Sequence, residues 1–332
     1  MNTLQCGNLQ VAEERVPPGE EQAIMAIMNL QTAIMRVKGP DRRGQHPKAH
    51  GCVEATFTVL PNIPLELKVG IFSEPKVFKA LVRFSNGKSD DDRHPDVHGM
   101  AIKVLEATGP RAVPNDGLDE QDFIMIDSET FFASDAESLL GFMKASVAAE
   151  RSQSPAPIQD FAKSSEHNAK TVAAAQKLPK GGLASPLAIP YWSTVPYRCG
   201  AVAVKYSVKP APGNHEGPAQ PTSENYLRGA MVEHLTRQQR RATFQFFMQI
   251  QTDPETMPVE DPTIPWASPE IGVATLEIAP QAFDTPECHR ICEESSFSPW
   301  HALEVHRPLG GINRARKPVY EASSALRHES IR

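Results

Sequence analysis

The apolar positions of the chain change their spacing at about residue 50. Residues 20–37 carry apolar side chains at three- and four-residue intervals, between a Pro-Pro-Gly and a Gly-Pro sequence, which predicts one amphipathic helix. From Gly51 onward the apolar residues fall in short β-rich segments that proline and glycine separate. These segments predict strands at 52–60, 65–72, 79–85, 100–105, 123–126, 201–208, 243–251 and 273–278.

Helical segments interrupt the strands and follow them. Residues 136–150 and the polar, alanine-rich stretch that extends to 177 predict helices, as do 286–295 and 311–329. Pro318 predicts a bend in the last helix, or a helix that begins near it. Because turns rather than regular crossover helices join the strands, the pattern favours an α+β fold. We expect a closed antiparallel β-barrel of about eight strands with surrounding helices.

The 332 residues are 40% hydrophobic, which is sufficient for a sizeable core. No internal repeat and no clear linker divides the sequence, so we predict a single domain over residues 1–332. Its parts are a helical arm at 1–40, a β-barrel with helical insertions at 43–280 and C-terminal helices at 284–332.

Charge and hydropathy exclude some classes of partner. The formal net charge is -6 and the basic residues are scattered, so we expect no binding of nucleic acid. The longest apolar runs are well short of the roughly 20 residues that cross a bilayer, and the first 20 residues contain no apolar secretory core. We therefore expect a cytoplasmic protein without a transmembrane segment.

The cysteines are odd in number and widely spread, which favours reduced thiols over a disulfide framework. They are Cys6, Cys52, Cys199, Cys288 and Cys292. Cys288 and Cys292, beside His289 on a predicted helix, could contribute to a metal site. Because no second ligand pair has zinc-like spacing, packing in the core is the favoured interpretation.

The predicted C-terminal helix carries the clearest chemistry. Arg316, Tyr320 and Arg327 recur at helical spacing, so they project from one face. An arginine one turn before a tyrosine stabilises the phenolate by charge and by hydrogen bonding. A phenolate is a ligand for ferric iron. Alone, however, Arg-x-x-x-Tyr is a common arrangement on solvated helices.

Further motifs occur in a fixed order along the chain. They are Arg-Gly-Gln-His-Pro-Lys at 43–48, Arg-Phe-Ser at 83–85, Asp-Val-His-Gly-Met-Ala-Ile-Lys at 96–103, and Arg316, Tyr320 and Arg327. Together with the tail at 297–322, this set resembles the haem catalase superfamily, in particular its short branch of catalase-related peroxidases. The ordered matches extend from residue 43 to residue 327.

The resemblance implies a catalase-like barrel that binds haem b. Tyr320 would be the proximal ligand to the iron, and Arg316 would donate a hydrogen bond to its oxygen. Phe131 would pack on the face of the macrocycle. His46 would be the distal base that moves a proton between the two peroxide oxygens. The propionates would pair with Arg43, Arg83 and Arg327.

The implied activity is a haem peroxidase that cleaves the O–O bond of hydrogen peroxide or of an organic hydroperoxide heterolytically. A small donor would supply the electrons, and catalase activity would be weak or absent. Two alternatives stay open: a fatty-acid hydroperoxide dehydratase or lyase similar to allene oxide synthase, and a non-catalytic haem-binding protein. By analogy with its relatives, we expect a homo-oligomer.

The sequence departs from the catalase pattern on the distal side. Catalases carry a distal asparagine upstream of the Phe-rich strand, but here residues 117–121 are Gly-Leu-Asp-Glu-Gln and the nearest asparagine is Asn115. Gln45 precedes His46, where catalases have a hydrophobic residue and allene oxide synthase relatives a threonine. The identity of the second distal group therefore stays open. His50 is a second candidate for the distal histidine, although it lacks the Arg-x-x spacing.

Overall fold

The computed structural model describes residues 9–178, 182–214 and 221–331. Within these residues nine strands form one antiparallel sheet. They are β1 Ala49–Val59, β2 Val77–Asn86, β3 His98–Leu105, β4 Glu120–Ile126, β5 Tyr191–Trp192, β6 Tyr197–Cys199, β7 Val202–Pro210, β8 Ala242–Ile250 and β9 Glu270–Ile278.

The sheet closes because the short strand β5 pairs on one side with β4 and on the other with β7. The closed ring has eight members in the order β1-β2-β3-β4-β5-β7-β8-β9, and β6 adds to the edge of β7 outside the ring. The closed eight-stranded antiparallel barrel with surrounding helices, predicted from the sequence, is therefore confirmed.

Helices surround the barrel. In the described part of the chain they are α1 Glu20–Lys38, α2 Ala136–Ser152, α3 Ala156–Ser164, α4 Glu166–Lys177, α5 Tyr226–Met231, α6 Pro286–Glu294 and α7 Gly311–Ile331. A π-helical turn, Val232–Arg237, continues α5. No helix in the described ranges is long and apolar enough to cross a membrane.

The barrel interior is filled with side chains. Successive residues of a strand point to opposite faces, so alternate positions enter the core. In β2, Val82 and Phe84 are fully buried in it, and Arg83 and Ser85 alternate with them on the outer face. Aromatic rings pack at the centre: the ring centroids of Phe123 and Phe246 are 4.9 Å apart. A filled interior leaves the outer face of the barrel as the place for a large cavity.

The prediction of a strand at 65–72 is wrong. This segment forms two 3₁₀ turns, Leu65–Leu67 and Gly70–Phe72. Pro64 has no N–H to donate to a strand partner, and Gly70 has a φ of 54°, which is incompatible with an extended strand. The segment is not part of the barrel, and the ring of eight strands is completed by β5, which has only two residues.

The N-terminal arm packs against the C-terminal helix. Ile27 of α1, Ala136 of α2 and Ala315 of α7 form a small buried apolar cluster. Beside it, Arg314 of α7 forms ion pairs at 2.7–2.8 Å with three carboxylates, those of Glu14, Glu20 and Glu260. The helix α7 begins at Gly311 and runs on through Pro318, so it does not begin at the proline.

Candidate functional site

A cavity with about 810 Å³ of empty volume, partly open to solvent, lies between the outer face of β2–β4 and the helical layer of α1 and α7. Five of the predicted site residues line it: Arg43, His46, Arg83, Tyr320 and Arg327. Its other walls are mainly small and apolar, and they include Gly99, Met100, Ala101, Ile124, Met125, Phe297 and Val319.

His46 is held at the cavity in a strained backbone conformation. Its φ is 53°, in the left-handed region, which costs a residue other than glycine roughly 1–3 kcal/mol. Its N–H donates to the carbonyl of Gly87 at 2.9 Å, and its own carbonyl accepts from Arg83 Nη2 at 2.9 Å. The imidazole Nδ1 lies 3.1 Å from Ser85 Oγ. These contacts offset the strain and fix the ring.

The environment of His46 favours the neutral imidazole. Burial, followed by the positive charge of Arg83, lowers the pKa of His46 to about 4. The ring also lies directly against β3, where a Cβ on Gly99 would be only 2.6 Å from Nδ1. At neutral pH this histidine is therefore an unprotonated base, and the ring can occupy this place because residue 99 is glycine.

His50, the alternative distal candidate, is not among the residues that line the cavity. It is fully buried, and its Nε2 lies 2.9 Å from Oδ1 of Asn86. Of the two histidines, only His46 borders the open space.

Arg43, Arg83 and Arg327 converge on the C-terminal end of α6, and we call them the arginine cluster. Arg43 donates to the carbonyls of Cys292 and Ser295, both at 2.8 Å, and pairs with the carboxylate of Glu293. Arg327 donates to the carbonyls of Glu293 and Ser295. The Nη2 atom of Arg83 is 3.9 Å from Glu293 Oε1. Three arginines from distant parts of the sequence therefore contact the same short segment, residues 292–295.

The arginine cluster carries more positive charge than its surroundings neutralise. Among the described residues, Glu293 supplies the one carboxylate that pairs with it. Burial, followed by the charge of Arg83, lowers the pKa of Arg43 to about 10. The Nε atom of Arg83 is buried and has no hydrogen-bond partner. Three partly desolvated guanidinium groups that share one carboxylate favour a further anionic ligand, and carboxylates match their geometry.

Tyr320 lies on the face of α7 that borders the cavity. Residues three, four and seven positions apart share one side of a helix. Accordingly, Tyr320, Ser323, Ser324 and Arg327 all line the cavity. The start of the helix is fixed by Asn313, whose side-chain amide donates to the carbonyls of Pro196 and Leu309.

Arg316 and Phe131, which were also predicted to contact the haem, are not among the residues that line this cavity. The Arg316 guanidinium lies over the ring of Phe131, 5.6 Å from its centroid, and Nη1 donates to Asn313 Oδ1 at 3.4 Å. It also lies beside the buried phenol of Tyr197. Burial raises the pKa of Tyr197 to about 12, and the charge of Arg316 partly opposes this effect.

The sequence did not identify several residues that shape the cavity. Gln31 of α1 donates from Nε2 to the carbonyl of Gly44 at 3.1 Å and accepts from Gln45 Nε2 at 3.2 Å. Gln31 and Gln45 are the side-chain amides that line the cavity, whereas Asn115 and Gln121 are not among its lining residues. No local sequence pattern predicts that α1 contacts the loop of His46, because this contact forms only when the N-terminal arm packs against the rest of the protein.

The possible metal site at Cys288, His289 and Cys292 does not form in the described structure. His289 Nε2 is 2.9 Å from Asp284 Oδ1, while Cys292 is buried on the inner side of α6. Among the described residues, one group could hold a metal ion by spacing, namely Glu120, Asp122 and His301. The ammonium of Lys103 already pairs with both carboxylates of that group. The closeness of the three side chains is therefore explained by an ion-pair network.

The fold is similar to solved structures of catalases. A fungal catalase aligns with a TM-score of 0.66 at 16% identity, over 97% of this chain and 66% of its own. Catalase A from Saccharomyces cerevisiae aligns with a TM-score of 0.62 at 16% identity, over 99% and 67%. A bacterial catalase aligns with a TM-score of 0.60 at 14% identity, over 98% and 67%.

No family model and no curated protein matches the sequence. The chain spans about two thirds of the length of the catalases to which it is similar. At such low identities the similarity concerns the fold, and this chain has the catalase-like fold over nearly its whole length.

Proposed function

We propose that this protein binds haem b and acts as a peroxidase on organic hydroperoxides or hydrogen peroxide. The strongest support is a single cavity that joins His46, Tyr320 and the arginine cluster, although these residues are far apart in the sequence. A catalase-like fold with this combination of groups fits a haem enzyme that acts on peroxides.

The residues of the cavity match the chemical groups of haem. The arginine cluster, with one carboxylate for three guanidinium groups, suits the two propionates. The apolar strand residues, among them Ile124 and Met125, suit the macrocycle. The Tyr320 phenolate would hold the iron. Arg316, one turn earlier on α7, contacts the ring of Phe131 rather than the cavity. When bound, haem supplies the redox-active iron at which the O–O bond is cleaved.

The protein's own contribution to the reaction is proton transfer by His46. Its neutral imidazole accepts a proton from one peroxide oxygen and returns it to the departing oxygen, a step that is typically worth about 100- to 10,000-fold in rate. Ser85 holds Nδ1, so Nε2 is the ring nitrogen that remains for the substrate. Arg83, through the His46 carbonyl, keeps the backbone of this residue in place.

An organic hydroperoxide is the preferred substrate class. The cavity is partly open to solvent and has a largely apolar wall, which accommodates an alkyl group. Among the described residues that line it, there is also no asparagine to orient hydrogen peroxide opposite His46. We therefore expect donor oxidation to exceed oxygen evolution from hydrogen peroxide.

The test compares the haem-loaded protein with His46→Ala and with the control His289→Ala, an exposed histidine that is not among the cavity-lining residues. Donor oxidation by cumene hydroperoxide should fall at least about 100-fold in His46→Ala, with unchanged haem content, and stay constant in the control. Oxygen evolution faster than donor oxidation would contradict peroxidase function. Loss of a lipid hydroperoxide without any donor would instead support the dehydratase or lyase alternative.

A further inference from the structure

A buried amide of α1 lies at the cavity. Ile27, Gln31 and Met35 follow one another at four-residue intervals in the buried stripe of this helix. The two neighbours in the stripe are apolar, and Gln31 is only 3% exposed. Gln31 also lines the cavity that contains His46. Because burial of an amide costs free energy unless its polar atoms are hydrogen-bonded, its presence in an apolar stripe points to a role that an apolar side chain could not fulfil.

The hydrogen bonds of Gln31 use half of its capacity. A glutamine side chain has two N–H donors and an oxygen that accepts two hydrogen bonds. Nε2 donates to the carbonyl of Gly44 at 3.1 Å, and Oε1 accepts from Nε2 of the exposed Gln45 at 3.2 Å. The carbonyl of Gly44 can only accept, so it determines which end of the amide carries the nitrogen. No other residue in the described ranges accepts the second N–H, which is therefore available to a ligand in the cavity.

The loop that carries His46 also holds the amide of Gln31. Gly44 and Gln45, the two partners of this amide, directly precede His46 in the chain. A Cβ on Gly44 would be 2.2 Å from Gln31 Nε2 and 2.8 Å from Met35 Sδ. The amide can therefore approach the loop only because residue 44 is glycine. The position of Gln31 is thus fixed relative to the proposed catalytic base.

The hydroxyl groups of the cavity wall are engaged elsewhere or belong to the opposite helix. Ser85 Oγ is 3.1 Å from Nδ1 of His46. The hydroxyls of Ser296 and Ser324 are hydrogen-bonded to each other at 2.7 Å. Ser323 lies on α7, the helix that carries the proposed iron ligand. On the side of the His46 loop, the amide from α1 is therefore the buried neutral donor among the described lining residues.

We propose that Gln31 is a catalytic residue of the peroxidase and donates its free N–H to the departing oxygen of the hydroperoxide. This role rests on the proposed function. When the O–O bond breaks, the departing oxygen takes the electron pair of that bond and receives from His46 the proton that came from the other oxygen, so it leaves as an alcohol. The haem keeps the other oxygen and is oxidised by two electrons. Negative charge develops on the departing oxygen before the proton arrives, and a preorganised hydrogen-bond donor stabilises it.

This role predicts a dependence on the leaving group. An alkoxide is a much stronger base than a carboxylate, so the departing oxygen of cumene hydroperoxide needs more stabilisation than that of peracetic acid. Loss of the Gln31 donor should therefore slow the reaction with cumene hydroperoxide much more than the reaction with peracetic acid. A displaced His46 would slow both reactions, because His46 must take the first proton from either peroxide.

The experiment compares the haem-loaded full-length protein with Gln31→Leu, Gln31→Met and the control Thr32→Val. Two variants of Gln31 are used so that a folding defect in one of them does not decide the result. Thr32 is the next residue of α1, its hydroxyl donates to the carbonyl of Met28, and it is not among the cavity-lining residues.

Cyanide binding, followed by the absorption spectrum, is measured first, because the outer nitrogen of bound cyanide accepts a hydrogen bond from the same donor. We expect cyanide to bind about tenfold more weakly to both Gln31 variants at unchanged haem content, which is the typical value of one hydrogen bond. The rate with cumene hydroperoxide should fall about 10- to 100-fold, and the rate with peracetic acid much less. Thr32→Val should match the wild-type protein in all three measurements.

Two results would overturn the inference alone. One is cyanide affinity in both Gln31 variants equal to that of the wild-type protein. The other is an equal loss of rate with the two peroxides, which would show that the variants act by displacing His46. In both cases haem uptake and reaction with peroxide persist in the wild-type protein, so the proposed function stands. A wild-type protein that takes up no haem contradicts the proposed function and this inference with it.

Discussion

A pair of small residues on neighbouring strands determines where His46 can lie. Ser85 of β2 and Gly99 of β3 are directly opposite each other in the strand register. The hydroxyl of Ser85 holds Nδ1 of the imidazole, and the missing side chain of Gly99 leaves room for the ring. The spacing Arg-x-x-His identified His46 in the sequence, but these two contacts depend on a register that the sequence does not reveal.

Gly99→Ala should reduce peroxide reactivity without removing haem. The new methyl group would lie 2.6 Å from Nδ1 of His46, so the ring must move. Because a displacement of about 1 Å can cost roughly 100-fold in rate, we expect a loss of 10- to 100-fold in donor oxidation at constant haem content. Gly229→Ala is the matched control, since nothing lies within 4 Å of its added Cβ. Equal rates for the two variants would disprove the positioning role of Gly99.

At the scale of elements, two charged networks hold the walls of the cavity together. The ion pairs of Arg314 connect α7, which carries Tyr320, with Glu20 of α1 and Glu14 of the preceding segment. On the other side, Lys103 of β3 pairs with Glu120 and Asp122 of β4, and His301 joins the same carboxylates. The alternation of apolar and polar residues along the strands was predictable from the sequence. The ion-pair partners of Arg314 and Lys103 were not, because they come together only through the packing of distant elements.

Arg314→Ala should destabilise the protein markedly. The arginine side chain is largely buried, and its removal leaves the carboxylates of Glu14, Glu20 and Glu260 close together without a cation. We expect a loss of about 3 kcal/mol in the free energy of unfolding, measured by chemical denaturation. Arg237→Ala removes an exposed pair with Glu233 and should cost no more than about 0.5 kcal/mol. A similar small loss in Arg314→Ala would show that this network does not hold α1 against α7.

The His301 network predicts a loss of stability at alkaline pH. Burial opposes protonation of His301, but hydrogen bonds to Asp122 and Glu120 outweigh it and raise its pKa to about 9. Because the ordinary pKa of histidine is about 6.5, the protonated ring contributes its full stabilisation below that pH and loses it as the pH rises through 9. The contribution is at most about 3 kcal/mol.

Denaturation midpoints between pH 6 and pH 10 measure this effect in the wild-type protein and in His301→Gln. The wild-type protein should lose stability between pH 6.5 and pH 9, and the variant should lose much less over the same interval. Parallel pH profiles for the two proteins would contradict the assignment of a raised pKa to His301.

At the scale of the whole molecule, the sequence predicted the barrel and most of its strands because each buried strand alternates or is rich in apolar residues. The prediction failed at 65–72, where the apolar residues pack on the core but belong to two 3₁₀ turns. It also missed β5, because a strand of two residues is too short to show an alternation of apolar and polar positions. Five of the residues that the motifs singled out line the cavity, whereas Arg316 and Phe131 do not. Glu293 and Gln31 were missed, since their roles follow from the packing of α6 and α1 on the barrel.

Ligation of haem iron by Tyr320 is the central claim, and the absorption spectrum tests it most directly. The purified protein, after addition of haem, is compared with Tyr320→Phe and with Tyr226→Phe, whose hydroxyl contacts Leu183 away from the cavity. We predict a high-spin ferric Soret spectrum for the wild-type protein and for Tyr226→Phe, and an altered or lost spectrum for Tyr320→Phe. A wild-type protein that takes up no haem, or a Tyr320→Phe spectrum identical to that of the wild type, would contradict the account.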